Sequence, residues 1–298
     1  MTAYVADLGG TTIKLGVVEG SRVLASDRLP ARAGGGLAGR LDAIGAAFDR
    51  LADRAGRSAP NGVGLALPCL LSRDRRRVVS TVDKYPDAAD LDLEAWARET
   101  WGAPLALEGD GVAALLGEWQ YGAGRDCDNL AMLTFGTGIG SAAVVEGRPL
   151  RGAHGAGGVL FGHLTVRLGG EACLCGNVGC VETEGSTWAL RRRYGDHADL
   201  EWLFAETDDP DRPALRAHVL EAWGAALVGV VHALDPERVV LGGGAMRARD
   251  QILPALDAHV RAHAWRPDGL APLPLVVGEL GDDAALIGLG WAVQTRTP

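Results

Sequence analysis

A chain of 298 residues is long for one domain and comfortable for two, at about 150 residues each. Its 47% hydrophobic and 22% charged residues describe an ordinary soluble globular protein. A net charge of −9 argues against nucleic-acid binding, which needs a basic face.

No basic leader and no long apolar run marks a secretory signal or a membrane span. A cytoplasmic location with no membrane partner is therefore expected. In a reducing cytoplasm, clustered cysteines hold metal more often than they form disulfides. Cys69 and Cys127 stand alone and read as packing residues. The basic run Arg73 to Arg77 is short, is interrupted by Asp74, and reads as a solvated turn.

Residues 3 to 8 form a predicted buried strand, and Asp7-Leu8-Gly9-Gly10-Thr11-Thr12 turns tightly into a second strand, Ile13 to Val18. A dinucleotide fingerprint needs a helix after the glycines, so this is neither that motif nor a Walker loop. The turn instead offers the amides of Gly9 and Gly10 and the hydroxyls of Thr11 and Thr12 to one anion. Asp7, at the strand end, has the position to hold magnesium through water; a plain turn-forming Asp is the alternative. Leu37, Leu41, Ile44, Phe48 and Leu51 recur at helical spacing, which predicts an amphipathic helix over 36–56. A strand follows from Gly62 to Leu67, then a helix over 91–101 with Asp92 as its cap, and a strand from Leu105 to Leu107. The next helix runs from Val112 to Gln120, so Asp110 falls at a strand-to-helix junction. Such positions commonly face a cleft, with a helix cap as the alternative role.

The first pattern returns later in the chain. Val17-Val18-Glu19-Gly20 matches Val144-Val145-Glu146-Gly147, and the Leu8–Thr11 turn faces a counterpart at Phe135-Gly136-Thr137-Gly138. Two strand–glycine turn–strand units at matched positions predict a duplicated α/β architecture with nucleotide between the halves, unless the likeness is chance. Further on, 187–206 and 213–233 are predicted helical, Gly195-Asp196 breaking the first and Asp235-Pro236 ending the second. Val239 to Leu241 forms an apolar strand ending in Gly242-Gly243-Gly244. That glycine run lets a nucleotide base or ribose lie on the backbone, or simply makes a tight turn. A helix over 249–263, a strand at 274–277 and a last helix from Asp282-Asp283 to about 294 complete the chain.

The densest chemistry lies between Gly162 and Glu182. His163, Cys173, Cys175 and Cys180 make a complete tetrahedral set for zinc, with no position left for water, and closed sites of that kind are structural. Gly176 and Gly179 allow the sharp turns that bring Cys175 and Cys180 to one ion. The alternative is three buried free thiols and a core histidine.

Together these residues resemble the ROK family of repressors and kinases. Three of the carriers are Asp7-Leu8-Gly9-Gly10-Thr11-Thr12-Ile13-Lys14, the stretch Thr134 to Gly140, and Leu241 to Gly244. The fourth and most specific is Gly162-His163 followed by Cys173-Leu174-Cys175-Gly176-Asn177-Val178-Gly179-Cys180-Val181-Glu182. The resemblance implies an α/β, two-domain actin-like ATPase (RNase H-like) fold with an inter-domain cleft. It places an N-terminal domain at 1–117, a C-terminal domain with the zinc loop at 118–281, and a final helix, 282–296, packed back on the first domain. It implies an ATP-dependent sugar kinase, active with Mg²⁺, in which Asp110 is the general base. Gly9, Gly10, Thr11, Thr12, Lys14, Gly136, Thr137, Gly138, Gly243 and Gly244 would bind ATP. His163 and Glu182 would bind the sugar beside Gly109, and a homodimer or homotetramer is implied.

Three positions depart from the family pattern. Gly109 stands where the family has Asn before the catalytic Asp, Val112 where it has a second Asn, and Leu160 where it has Glu. Each hydrogen-bond partner lost from a sugar site shifts preference by roughly 1–3 kcal/mol. The expected substrate is therefore a differently substituted hexose, an amino sugar or a cyclitol rather than plain glucose, phosphorylated on a primary hydroxyl. A catalytically weak sugar sensor is the alternative. A repressor of the same family is a third reading, against which stand the acidic charge and a first motif that begins at residue 7.

Overall fold

Both glycine turns close antiparallel hairpins, and each hairpin begins a five-stranded sheet of the same strand order. The structure, a computed structural model, describes residues 1–81 and 84–296. It divides into two compact units: Met1–Arg125 with Arg151–Gly157 and Leu280–Pro298, and Asp126–Leu150 with Gly158–Glu279. Residue 117, where the sequence suggests a division, lies inside a continuous helix, and the chain divides only after Arg125.

In the first unit, β1 (Thr2–Leu8) pairs with β2 (Thr12–Glu19), Leu8 lying opposite Ile13 so that only Gly9–Thr12 spans the turn. β2 continues into β3 (Arg22–Pro30), a strand not anticipated from the sequence. There follow α1 (Ala38–Ala55), β4 (Gly62–Leu67), the short hairpin β5 (Leu70–Leu71) and β6 (Val78–Ser80), α2 (Leu93–Trp101), β7 (Leu105–Gly109) and α3 (Asp110–Tyr121). The sheet runs β3-β2-β1-β4-β7, with β1, β4 and β7 parallel. Ile44, Phe48 and Leu51 on α1 are buried as their spacing predicts, and Phe48 packs 5.5 Å from the Tyr4 ring. Asp92 caps α2 by accepting from the Ala95 amide (2.8 Å).

The C-terminal helix, Ala284–Arg296, packs on α3, β1 and β4 within this same unit. Its residues from Ala284 to Gly290 are all buried. It meets α3 through glycines on both sides: a Cβ on Gly288 would overlap the Ala113 carbonyl, and one on Gly117 the Ala284 carbonyl. Backbone lies on backbone there.

The second unit repeats the plan with β8 (Leu130–Phe135), β9 (Ile139–Val145), β10 (Arg148–Pro149), α4 (Val181–Gly185), α5 (Thr187–Tyr194), α6 (Leu200–Phe204), α7 (Arg212–Leu234), β11 (Arg238–Gly242), α8 (Arg249–His263) and β12 (Leu275–Val277). Its order, β10-β9-β8-β11-β12, and its strand directions match the first sheet position by position. The likeness of the two hairpins is therefore architectural. By length and composition α7 is long and apolar enough to cross a membrane. Its Val219, Trp223, Leu227 and Val230 instead fill the core of this unit, where Trp223 stacks on Phe135 at 4.1 Å.

Candidate active site and metal centre

β1 delivers Asp7 to the mouth of the first turn. A Cβ on Gly9 would sit 2.8 Å from the Thr12 carbonyl oxygen, so the tightness of the turn requires glycine there. The Tyr85 hydroxyl donates to the Gly9 carbonyl (2.9 Å), and the Ala31 amide to that of Thr11 (2.9 Å). Gly10 and Thr11 are left exposed. Loss of water pushes the Asp7 carboxyl up to about 6; the negative charge of Asp110 adds to this and Lys14 opposes it. Lys14, paired across the hairpin from Asp7, sits 3.5 Å from the Asp282 carboxylate.

Asp110 is the first residue of α3, with Gly109 in the N-cap position. Its Oδ1 accepts from the adjacent Gly111 amide in the first turn (2.7 Å), and Gly109 makes no side-chain cap bond. The side chain remains accessible to solvent. Surrounding protein nonetheless displaces much of its water, which raises its pKa, while the Gly111 amide and the Lys84 charge lower it. The carboxylate is thus open to solvent at the start of α3.

A Cβ on Gly109 would have Val112 at 3.9 Å and the Cys69 carbonyl at 4.0 Å, so packing does not demand glycine beside Asp110. Immediately before it, Glu108 is fully buried and held by two arginines. Arg151 grips it in two places (2.7 and 3.0 Å), and Arg75 adds a third contact. Sequence reading misses Glu108 because it stands as a lone polar residue at the end of an apolar strand. Its partners are far away in the chain.

In the second unit, the turn Gly136-Thr137-Gly138 is tied down by α4 and α5. The Thr187 and Trp188 amides donate to the carbonyls of Gly136 (3.0 Å) and Thr137 (2.9 Å). Glu182 Oε2 accepts from the Ile139 amide (2.8 Å) and lies 2.6 Å from where a Cβ on Gly138 would stand. Glycine at 138 thus makes room for that carboxylate. A cavity of about 290 Å³ beside Thr137 is lined by Thr187, Trp188, Arg191, Arg192 and Asp196. In the sequence only Asp196 was singled out, as a helix breaker, although three consecutive arginines at 191–193 were a signal. Gly243 has φ +87, and a Cβ there would overlap the Phe135 backbone. Its requirement for glycine comes from this close approach of β11's end to β8. Gly244 keeps an open face, with Arg247 Nη1 at 3.6 Å from its Cβ position.

His163 and the three cysteines converge, their ligand atoms all within 4.8 Å of one another. Zinc bonds of about 2.0–2.1 Å to nitrogen and about 2.3 Å to sulfur, at tetrahedral angles, give N···S edges of about 3.5 Å and S···S edges of about 3.8 Å. The separations are 3.5 Å between His163 Nδ1 and Cys173 Sγ, and 3.7 Å between the sulfurs of Cys175 and Cys180. The donor set therefore fits zinc. Gly176 (φ +88) and Gly179 (φ +70) make the left-handed turns that close the loop. Leu174 and Val178 are exposed, so the loop has little apolar packing of its own. Burial pushes the Cys180 thiol up to about 12 and raises that of Cys173, so they would become thiolates only with a bound cation. Cys180 is also the N-cap residue of α4, which places Glu182 two residues beyond the metal set.

The family model described as ROK family matches residues 4–296. A glucokinase of Thermotoga maritima is 32% identical, over 97% of this chain and 96% of its own length. A kanosamine kinase of Amycolatopsis mediterranei is 30% identical, over 95% of this chain and 92% of its own. Among solved structures, a ROK hexokinase from Thermus thermophilus superposes with a TM-score of 0.80 at 32% identity, covering 99% of both chains. Two sheets of one topology, a glycine turn opening each and a Cys₃His loop feeding the second turn are thus found in a chain that belongs to the ROK family, with its two-domain actin-like ATPase fold.

Proposed function

We propose that this protein is an ATP-dependent sugar kinase that phosphorylates a primary hydroxyl of a hexose-like ring. The observation that carries the reading is Asp110: an accessible carboxylate with a raised pKa, at a helix start, in the same unit as Asp7 and the Gly9–Thr12 turn, whose Gly10 and Thr11 are exposed. A sugar hydroxyl is a weak nucleophile, and a carboxylate within hydrogen-bond reach takes its proton as the bond to phosphorus forms. The rest of phosphoryl transfer is positioning and charge neutralisation. In the first unit, the amides and hydroxyls of Gly9, Gly10, Thr11 and Thr12, with Lys14, suit donor phosphates. In the second unit, Gly136, Thr137 and Gly138 likewise suit phosphates, and Gly243 and Gly244 suit the nucleoside. The cavity beside Thr137, with Trp188 and two arginines, suits an aromatic, anionic ligand and supports this placement.

When bound, magnesium would neutralise donor phosphates through water held by Asp7, and zinc would cross-link the loop from His163 to Cys180. With Nδ1 turned toward the cysteines, His163 keeps Nε2 for a sugar hydroxyl, and Glu182 offers its second oxygen. Gly109 leaves open room beside the base and Leu160 is exposed without a polar group. Both support a substituted hexose, an amino sugar or a cyclitol over plain glucose.

The test is ADP release across a panel of hexoses, amino sugars and cyclitols, with Asp110→Asn as control. Turnover on one acceptor, falling about 10²–10⁴-fold in the variant, supports the reading. Sugar binding without turnover on any acceptor favours the second reading, a sugar sensor, which Gly109 and Leu160 motivate.

A further inference from the structure

Between the first turn and Asp110 lies a cation that none of the motifs includes. Lys84 lays its side chain over Gly10: a Cβ on that glycine would stand 3.1 Å from Lys84 Cε and 3.6 Å from Nζ. The lysine thus lies in close contact with Gly10. The neighbouring Tyr85 is fully buried, takes a left-handed φ of +52, and bonds the turn itself through its hydroxyl to Gly9. Its amide donates to the Ala33 carbonyl (2.9 Å). Strain of that kind persists only where the surroundings fix it, so the segment bearing Lys84 is anchored to the phosphate turn.

The nearby Lys14 has Asp282 at 3.5 Å. Among the described residues, none forms an ion pair with the Lys84 ammonium. Its charge still reaches Asp110 and Cys69, lowering the pKa of both. An ammonium over the exposed part of the glycine turn, whose charge reaches Asp110 without pairing with it, has no ion-pair partner among the described residues. A phosphoryl oxygen would supply one.

We propose that Lys84 is a catalytic residue, its ammonium contacting the equatorial oxygens of the phosphoryl group in transfer. The assignment rests on the kinase reading. In the step, the acceptor oxygen bonds to the γ-phosphorus and its proton passes to Asp110. The bond from that phosphorus to the bridging oxygen breaks, and its electron pair leaves with ADP. Lys84 exchanges no proton; it offsets the charge on oxygens that neither make nor break a bond.

The experiment compares wild type, Lys84→Met, Lys84→Gln and Lys84→Arg for steady-state ADP release and for inhibition by ADP with aluminium fluoride, a mimic of the transferring phosphoryl. Lys84→Met is expected to lower kcat by about 100-fold, with the sugar KM held within about threefold. It should weaken ADP–aluminium fluoride by about tenfold or more while ADP alone changes little. Lys84→Arg should restore most of the rate. A side chain that merely covered the turn would weaken ADP and its fluoride complex equally, and that result overturns the proposal. So does near-wild-type kcat in Lys84→Met, or in Lys84→Gln if the Met variant does not fold. If Asp110→Asn loses turnover while the Lys84 variants keep it, only the role of Lys84 falls. If wild type transfers phosphate to no acceptor, the kinase reading falls and takes Lys84 with it.

Discussion

Removing the Glu182 carboxylate tests whether the loop beyond the cysteines and the second glycine turn act as one piece. In the structure, one oxygen of Glu182 accepts from the Ile139 amide at 2.8 Å, where β9 leaves the Gly136–Gly138 turn. A hydrogen bond to a charged group contributes about 1.5–3 kcal/mol. At about 1.4 kcal/mol per decade, Glu182→Ala should lower kcat/KM by about 10–150-fold. The loss should appear for both ligands, because the alanine frees the turn proposed to hold ATP and deletes a proposed sugar contact. Glu182→Gln separates the two. Its amide oxygen still accepts from Ile139, so the ATP parameters should return close to wild type while the sugar KM stays raised. Steady-state ADP release with each substrate varied at saturating levels of the other reads both. Equal defects toward ATP in the Gln and Ala variants would refute the reasoning, since the Ile139 bond would then not be what holds the turn.

Cys175→Ser should release one zinc per chain, weaken sugar binding and lower the melting temperature by about 10 °C, at about 2–4 °C per kcal/mol. Metal analysis, calorimetry and a thermal scan read these together, and unchanged sugar affinity in folded, zinc-free protein would overturn the link to His163. Asp7 carries its own pH signature, because its folded pKa of about 6 lies above the usual 3.8. Its contribution to stability is full below about pH 4 and is lost as the pH rises through about 6. In the absence of metal, Asp7→Asn should therefore stabilise the protein by up to about 3 kcal/mol at pH 8 and by almost nothing at pH 4, measured by urea unfolding at both. Gly243→Ala should destabilise by about 1–3 kcal/mol or more, since its left-handed backbone lies against Phe135; wild-type stability would show slack between β8 and β11.

The glycine turns, the Cys₃His set and most helices were legible in the sequence because each is local: a turn, a spacing or a period suffices to read it. β3 was not, because it is an edge strand bonded only to β2 and carries Arg22, Ser26, Asp27 and Arg28 as an edge allows. Residue 117 looked like a domain limit because the repeat was measured between hairpins, whereas α3 is held in its unit by a helix from the far end of the chain. At Asp110, local pattern left cap and base undecided, and the structure gives the N-cap position to Gly109. Glu108 with Arg75 and Arg151, and Lys84 over Gly10, were out of reach of any motif. Their meaning lies in partners brought together by folding.

The glycine-to-glycine seam between α3 and the C-terminal helix also bears on how the chain is made. Residues 1–125 leave the ribosome long before the helix from Ala284 exists, and until then α3, β1 and β4 lack the apolar surface that covers them. The second unit, synthesised in between, has its whole sheet available before the end of translation. The unit begun first is thus completed after the second, and the helix that begins with Asp110 is seated only once the whole second unit has been synthesised.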